Sequence, residues 1–401
     1  MFGKALNIYL DSYRGINRSV WILAAIQLIN RSGSMVLPFM TVYMTANLGY
    51  STVQAGIIMS VYGLGGLLGS YLGGRWTDKF GPFQVQLFSL LFGGGCYLLL
   101  PLLTGFYSLA LGIFVCATVN DAMRPAASSM IGHFATKETT TRSFSLMRMA
   151  INLGVAIGPA VAGLLAETNY FWLFFGDGIT CIAAGVVFFF YFRGKRPQIH
   201  KEDKQEDQPQ KSPYTEPAFL YFLFLCFCYA AAFFQIFSSI PLYYKDVYFQ
   251  SEKAIGLLIG FNGVIVFLFE MITVSQIEKR FKPERLIIAG TLMLGVSFAI
   301  FNLFTGMWVL ITAMTLLSFS EIFAMPFMIS HVVKTATPQT RGSHLAAYTI
   351  AWSVAFIVSP YCSTQIIDKL GFDALWWTFG IFCAIIAIGF LKVRGIKSDV
   401  E

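Results

Sequence analysis

The sequence predicts an all-α integral membrane protein of twelve transmembrane helices, arranged as two six-helix pseudo-repeats with both termini in the cytoplasm. Three observations lead there: the composition, the long apolar runs, and the placement of the basic residues. Of 401 residues, 56% are hydrophobic and 12% charged, 40 are Phe, and the mean hydropathy is +0.65. A charge at the bilayer centre costs about 2.5–3.5 kcal/mol on insertion scales, so this scarcity of charge marks a chain whose solvent is lipid.

A hydrocarbon core of about 30 Å takes about 20 apolar residues to cross as a helix. Runs of that kind lie near 19–45, 52–75, 83–103, 106–132, 142–166, 170–193, 217–243, 254–277, 284–303, 307–333, 342–366 and 373–393, here spans 1 to 12. Starting from the inside, the cytoplasmic segments collect twenty-two of the 28 Lys and Arg, and the outer loops hold Lys245, Lys253 and Lys369. That bias sets the orientation and explains the net charge of +7; no basic arm suits a nucleic acid. The polar first 18 residues run directly into a full span, so no cleavable leader is expected. The seven cysteines sit in or beside spans without metal-ligand spacing and read as small packing residues.

The longest polar stretch, 194–216, is rich in charge and proline and reads as a flexible cytoplasmic linker. It divides the chain into an N-terminal bundle, 1–193, and a C-terminal bundle, 217–401. Features recur between them at an offset near 200. Asp78-Lys79 returns as Glu278-Lys279, Ala55-Gly56 as Ile255-Gly256, Asp121 as Glu321, Pro125 as Pro326, Arg142 as Arg341 and Pro159 as Pro360. A parallel repeat predicts a substrate site at the interface of the halves near the midplane, served by alternating access.

Charges inside spans are tolerated only where they are paired or face a polar cavity, so the exceptions point to function. They are Arg31, Asp121, Arg124, Arg148, Glu270 and Glu321. At 1.5 Å per residue, Arg31 stands about 16 Å into span 1, Glu321 about 19 Å from the cytoplasmic end of span 10, and Glu270 about 12 Å from that of span 8. Asp121 and Arg124 share a helix face, three residues apart. Two readings stand: structural ion pairs, such as Asp121 with Arg124, or carboxylates that exchange a proton between the two faces. Glu321, with no basic residue one turn away on its helix, leads the second reading. Glu270 follows it, and Asp177, close to the outer end of span 6, ranks last. The histidines at 133, 200, 331 and 344 are expected to be solvated at cytoplasmic ends or in the linker.

The loop "GGRWTDKFG" (73–81) resembles the signature loop between spans 2 and 3 of the major facilitator superfamily, matching it at Gly74, Asp78, Lys79 and Gly81. Pro82 and Phe83 stand where that family carries further basic residues. The resemblance gives Asp78 a place facing the N-terminal end of span 11, near Arg341 to Ser343, holding the cytoplasmic side shut. In "NLGVAIGPAVAGLLAE" (152–167), Gly154, Gly158, Pro159 and Gly163 resemble the span 5 motif of its drug:proton antiporter branches, with Ala162 in place of one glycine. Small residues four apart let helices approach closely, and the expected partner is the other half, at span 8. The second half has only "IVSPYC" (357–362) at the equivalent place. "NDAMRPAASSM" (120–130) is similar to the motif carrying the family's intramembrane arginine, here Arg124, and "NRSGSMVLPFMTVYM" (30–44) to span 1 of multidrug-type members.

The resemblance implies a major facilitator fold and a proton-coupled antiporter in the cell (inner or plasma) membrane, exporting hydrophobic or amphipathic small molecules as a monomer. The proton gradient is its energy source and no cofactor is needed. Proton coupling falls to Glu321, Asp121, Glu270 and Arg124. Candidate cavity residues are Arg31, Met35, Phe39, Tyr43, Arg148, Phe233, Phe234, Tyr243, Phe267, Met325 and Phe327; packing is the competing role for each aromatic. The alternative is a narrow-specificity transporter, an importer among its forms, in which the buried arginines bind an anionic metabolite or peptide. Enzyme chemistry has no nucleophile–base constellation to rest on. "VYGLGGLLGS" (61–70) lacks the lysine and hydroxyl pair of a nucleotide-binding loop.

Overall fold

The computed structural model describes residues 15–136, 139–195, 215–277, 280–336 and 340–393, and only the backbone of 141, 271, 272, 274–277, 341 and 342. Most of the linker, the Glu278-Lys279 pair, His200 and the Arg341 side chain lie outside the described residues. Every regular element among those described is helical.

The helices are α1 (Arg18–Ser32), α2 (Val36–Val42) with a π-turn at Tyr43–Asn47, α3 (Thr52–Phe80), α4 (Pro82–Leu99), α5 (Phe106–Asp121), α6 (Met123–Phe134), α7 (Thr140–Ala166) and α8 (Phe171–Phe192). After the linker come α9 (Pro217–Phe233), a 3-10 turn at Phe234–Phe237, α10 (Ser239–Asp246), α11 (Glu252–Ile277), α12 (Pro283–Leu303), α13 (Met307–Thr335) and α14 (Arg341–Leu391). Prolines 82, 217 and 283 open their helices at the first turn, where no intrahelical N–H is lost. Among the described residues, eleven stretches are long and apolar enough to cross a membrane, and they reproduce the apolar runs of the sequence within a few residues at most ends. The eleventh, Ser343–Leu391, covers the last two runs. Gly371 interrupts it with φ 82° and ψ 177°, a conformation that takes glycine.

The duplication extends to backbone detail. Leu48 and Tyr50 donate their N–H to the carbonyls of Tyr43 and Met44, and Tyr248 and Gln250 do the same to Tyr243 and Tyr244, 200 residues on. Gly49 (φ 69°) is matched there by Phe249 (φ 53°). Gly94 and Gly178 meet backbone to backbone between α4 and α8, and Gly295 and Gly380 do so between α12 and α14.

Contacts divide the chain into two compact units, one of Met1–Val36 with Gly65–Lys201 and one of Leu37–Leu64 with Glu202–Glu401. In the first unit, Leu23, Ile26, Phe83, Leu90, Met123, Met130, Met147, Phe188 and Phe192 form an apolar core. Gly65, Gly69 and Gly73, four apart on α3, lie against the backbone of Phe114, Thr118 and Ala122, four apart on α5 and its C-cap. In the second unit, Tyr243, Phe298, Phe301 and Trp376 pack as an aromatic cluster. The stretch Leu37–Leu64 groups with this unit for a local reason. Gly56 lies against Pro360 and Thr364 of α14, Gly63 against Phe356 and Ile357, and Thr41 Oγ1 donates to the Ser238 carbonyl at 3.1 Å.

Candidate functional site

The first unit holds its charges around a break between α1 and α2. Gly33 ends α1, and the helix resumes at Val36. Such a break leaves N–H groups without intrahelical acceptors. Asp177 of α8, 3% exposed, supplies them: one carboxylate oxygen accepts from Met35 N at 3.2 Å and the other from Val36 N at 2.9 Å. Arg31 stands near enough for its charge to act on Asp177 while forming no hydrogen bond through its buried Nε. Behind it, Asn30 Nδ2 donates to Cys181 Sγ at 3.1 Å, and Asn120 Nδ2 donates to the Cys116 carbonyl at 2.9 Å.

One turn from Asn120, Arg124 Nε donates to Asp121 Oδ1 at 2.9 Å. The aspartate side chain is 12% exposed and the arginine 57%, so the net contribution of the pair is about 0–1 kcal/mol. Gly66 leaves room for the Asp121 carboxylate, whose Oδ2 occupies the place a Cβ would take.

In the second unit the carboxylate is Glu321, fourteen residues from either end of α13. Asn262 of α11 donates from Nδ2 to Glu321 Oε2 at 3.3 Å and to Ser318 Oγ at 3.0 Å. Next to it, the hydroxyls of Tyr229 and Ser320 are hydrogen-bonded at 2.9 Å. Glu270 is buried toward the C-terminal end of α11.

The structure corrects several expectations. Arg124 and Arg148 are exposed and Arg31 is half-buried, so none of the three is a buried base. Sequence gives depth along a helix but not the direction a side chain faces. Met35, Phe39, Tyr43, Phe233, Tyr243 and Phe327 are buried as packing residues, while Phe234, Phe267 and Met325 keep part of their surface open. Histidines 331 and 344 are not solvated: they are 7% and 2% exposed and pack tilted against Phe222 and Phe219 of α9, with ring centroids at 4.1 and 4.5 Å. His133 is exposed.

Gly154 and Gly158 pack within their own unit, against Arg31 and the carbonyls of Arg31, Ser32 and Ser34. The break at Gly33–Met35 is what they cover. Gly163 and Pro159 are buried on the same helix. Asp78 and Lys79 are exposed at the end of α3, Gly81 (φ 89°) precedes α4, and Gly74 has no neighbour that a Cβ would meet. The partner expected for Asp78 falls on Arg341, outside the described side chains.

A family model described as Major Facilitator Superfamily matches residues 20–288 and 247–399. The chain belongs to the Major Facilitator Superfamily. Its members are multi-pass plasma-membrane transporters, not enzymes, and need no cofactor. Among the described residues no group of His, Cys, Asp or Glu is placed to hold a metal ion.

Within the superfamily, the chain is 23% identical over 383 residues to a Na(+), Li(+), K(+)/H(+) antiporter of Planococcus maritimus, covering 88% of this chain and 89% of the relative. It is 24% identical over 339 residues to the class D tetracycline resistance protein of Salmonella ordonez, covering 82% and 84%. The fold matches a POT family transporter solved in complex with 5-aminolevulinic acid, with a TM-score of 0.79 at 16% identity over 96% of this chain and 98% of that one.

Asp177, ranked last among the carboxylates from the sequence, is the one bonded to the backbone break of span 1. Its signal was present in Gly33-Ser34, small residues in mid-span, where a broken helix requires an acceptor from a neighbour.

Proposed function

We propose that this transporter exports hydrophobic or amphipathic small molecules from the cytoplasm in exchange for protons. Glu321 carries the reading. It stands about 21 Å from either end of an apolar helix, at 1.5 Å per residue, and its carboxylate accepts from a neutral amide, Asn262. Carboxylates at that depth belong to ion pathways and proton relays. The names of two relatives, a cation/proton antiporter and a tetracycline resistance protein, support exchange and efflux.

In this reading Ser343–Leu391 is two spans separated at Gly371, which makes twelve, with both termini cytoplasmic. Residues 1–193 and 217–401 form the two bundles around the linker 194–216, and the working form is a monomer. Substrate binds from inside while Glu321 is ionised. Protons then compete at Glu321, with Asp121 and Glu270 as further carriers, and the neutral carboxyl favours release and return. Among the apolar cavity candidates, Phe234, Phe267 and Met325 keep open surface, as do Arg31 and Arg148. Asp78 and Lys79, together with the Gly154–Gly163 face, restrict movement of the cytoplasmic ends and of span 1.

The rival reading, an anionic metabolite or peptide bound by arginines, draws less support. Arg124 is engaged by Asp121, and Arg31 acts on Asp177. The test expresses wild type and Glu321→Gln in a pump-deficient bacterium and follows lipophilic cationic dyes with and without an uncoupler. Lower accumulation in wild type alone, abolished by uncoupler, is expected. Equal accumulation in both, with the protein confirmed in the membrane, would overturn the reading for those substrates.

A further inference from the structure

Asp177 is bonded to the backbone on which span 1 turns. Met35 N and Val36 N, at the break after Gly33, each donate to one oxygen of the same carboxylate, Met35 N sharing its hydrogen with the Gly33 carbonyl at 2.6 Å and Val36 N bonding at 2.9 Å. The break is enclosed by residues chosen for size. Gly33 leaves the space that Thr180, one turn beyond Asp177, fills with its hydroxyl; Gly154 and Gly158 bring α7 against Arg31, Ser32 and Ser34. Val36 is also the last residue of the first contact unit, and Leu37 begins the stretch that belongs to the second. The carboxylate therefore grips the chain at the break in span 1.

We propose that Asp177 is a positioning residue for transport, acting through span 1: ionised, it pins the Met35–Val36 break, and protonated, it releases it. The chemistry follows from donor counting. An ionised carboxylate offers acceptors to both amides. A protonated one is neutral and commits part of one oxygen to an O–H, so both amide bonds lose their charge assistance and the one to that oxygen weakens most. The proton also removes the charge that attracts Arg31, leaving that guanidinium free to turn to another acceptor. The titratable or charged groups around Asp177 are Arg31 of α1, Cys116 of α5 and Cys181 of α8 itself. The thiols are uncharged when protonated, so Arg31 is the one cation among them. The inference rests on the proton-coupled reading above but assigns a second titrating group to a different task, moving a helix rather than exchanging with substrate.

The experiment reads the position of span 1 against pH without any substrate. Cys362, the exposed one of the seven free cysteines, is first replaced by serine, and nitroxide labels are placed at Ala46 and Asn169, both exposed. Their distance distribution is measured in liposomes from alkaline to acid pH. Wild type is expected to shift as pH falls, and Asp177→Asn to show the acid distribution at every pH. Asp177→Glu keeps a carboxylate in altered geometry, so its shift should remain with a displaced midpoint. This second variant decides the matter if Asp177→Asn fails to reach the membrane.

The proposal is overturned if wild type shows no shift, if Asp177→Asn tracks wild type, or if Asp177→Glu keeps the wild-type midpoint. A failure of proton-driven export would instead appear in the dye assay with wild type. A helix that merely needed Asp177 to fold would lose stability without any change in a pH profile.

Discussion

Gly69→Ala should lower stability, whereas Gly74→Ala, five residues further along the same helix, should not. A Cβ at 69 would overlap the Thr118 carbonyl oxygen and stand 2.9 Å from its carbon and Cα. Those are backbone atoms of a packed helix, so no rotamer change relieves the clash and α3 must move away from α5. Overpacking of this kind costs about 1–3 kcal/mol, and the gain in helix propensity from Gly to Ala returns about 1. At Gly74 no heavy atom lies within 4 Å, so only the propensity gain remains. The two variants should then differ by about 1–3 kcal/mol. At about 2–4 °C per kcal/mol for a unit of this size, Gly69→Ala should unfold roughly 2–12 °C below Gly74→Ala. Thermal unfolding of the purified proteins in one detergent measures this. Equal midpoints, or a higher one for Gly69→Ala, would refute the claim that the Gly65–Gly69–Gly73 ridge sets the approach of the two helices.

Two further outcomes follow from the second unit. Phe249 holds φ at 53° with its ring 85% exposed, where the first half has Gly49. Phe249→Gly should therefore raise the unfolding midpoint, by an amount equivalent to about 0.5–1 kcal/mol; a fall would show that the exposed ring contributes more than backbone relief. Tyr229→Phe and Ser320→Ala each remove one side of a buried hydrogen bond, so their double-mutant cycle should show a coupling of about 0.5–1.5 kcal/mol, and simple additivity would refute a direct bond.

The helices were legible because lipid imposes a length and a polarity on whatever crosses it. The run read as 307–333 is Met307–Thr335 in the structure, and 170–193 is Phe171–Phe192. Depth was legible too, since rise per residue fixes it: Glu321 and Asp121 do lie deep in their spans. Direction was not. Arg148 and Arg124 are exposed, and His331 and His344 face aromatic rings, because rotation about a helix axis is set by neighbours that sequence does not name. The glycines of α7 announced a close approach but not to what. The breaks at Gly33–Met35 and Phe234–Ser238 escaped notice for a related reason: an interruption within an apolar run leaves hydropathy unchanged.

Those two breaks explain both the glycines of span 5 and their absence from the second half. Irregular backbone at membrane depth is tolerated only where protein covers it. In the first half, Gly158 lies against the Arg31 carbonyl, and the freed amides go to Asp177. In the second, 200 residues on, the Ala231 carbonyl accepts from Ser359 Oγ at 2.6 Å and from Gln235 Nε2 at 3.2 Å, and Gln235 Nε2 also donates to Ser359 Oγ at 2.7 Å. Ser359 precedes Pro360 as Gly158 precedes Pro159, so one duplicated position covers the same carbonyl, by contact in one half and by a hydroxyl in the other. The remaining difference is charge. A break covered by serine and glutamine is indifferent to pH, whereas one held by an aspartate beside an arginine is not. The duplicated scaffold thus keeps one inert joint and one that can respond to a proton, and the glycine motif belongs to the responsive one.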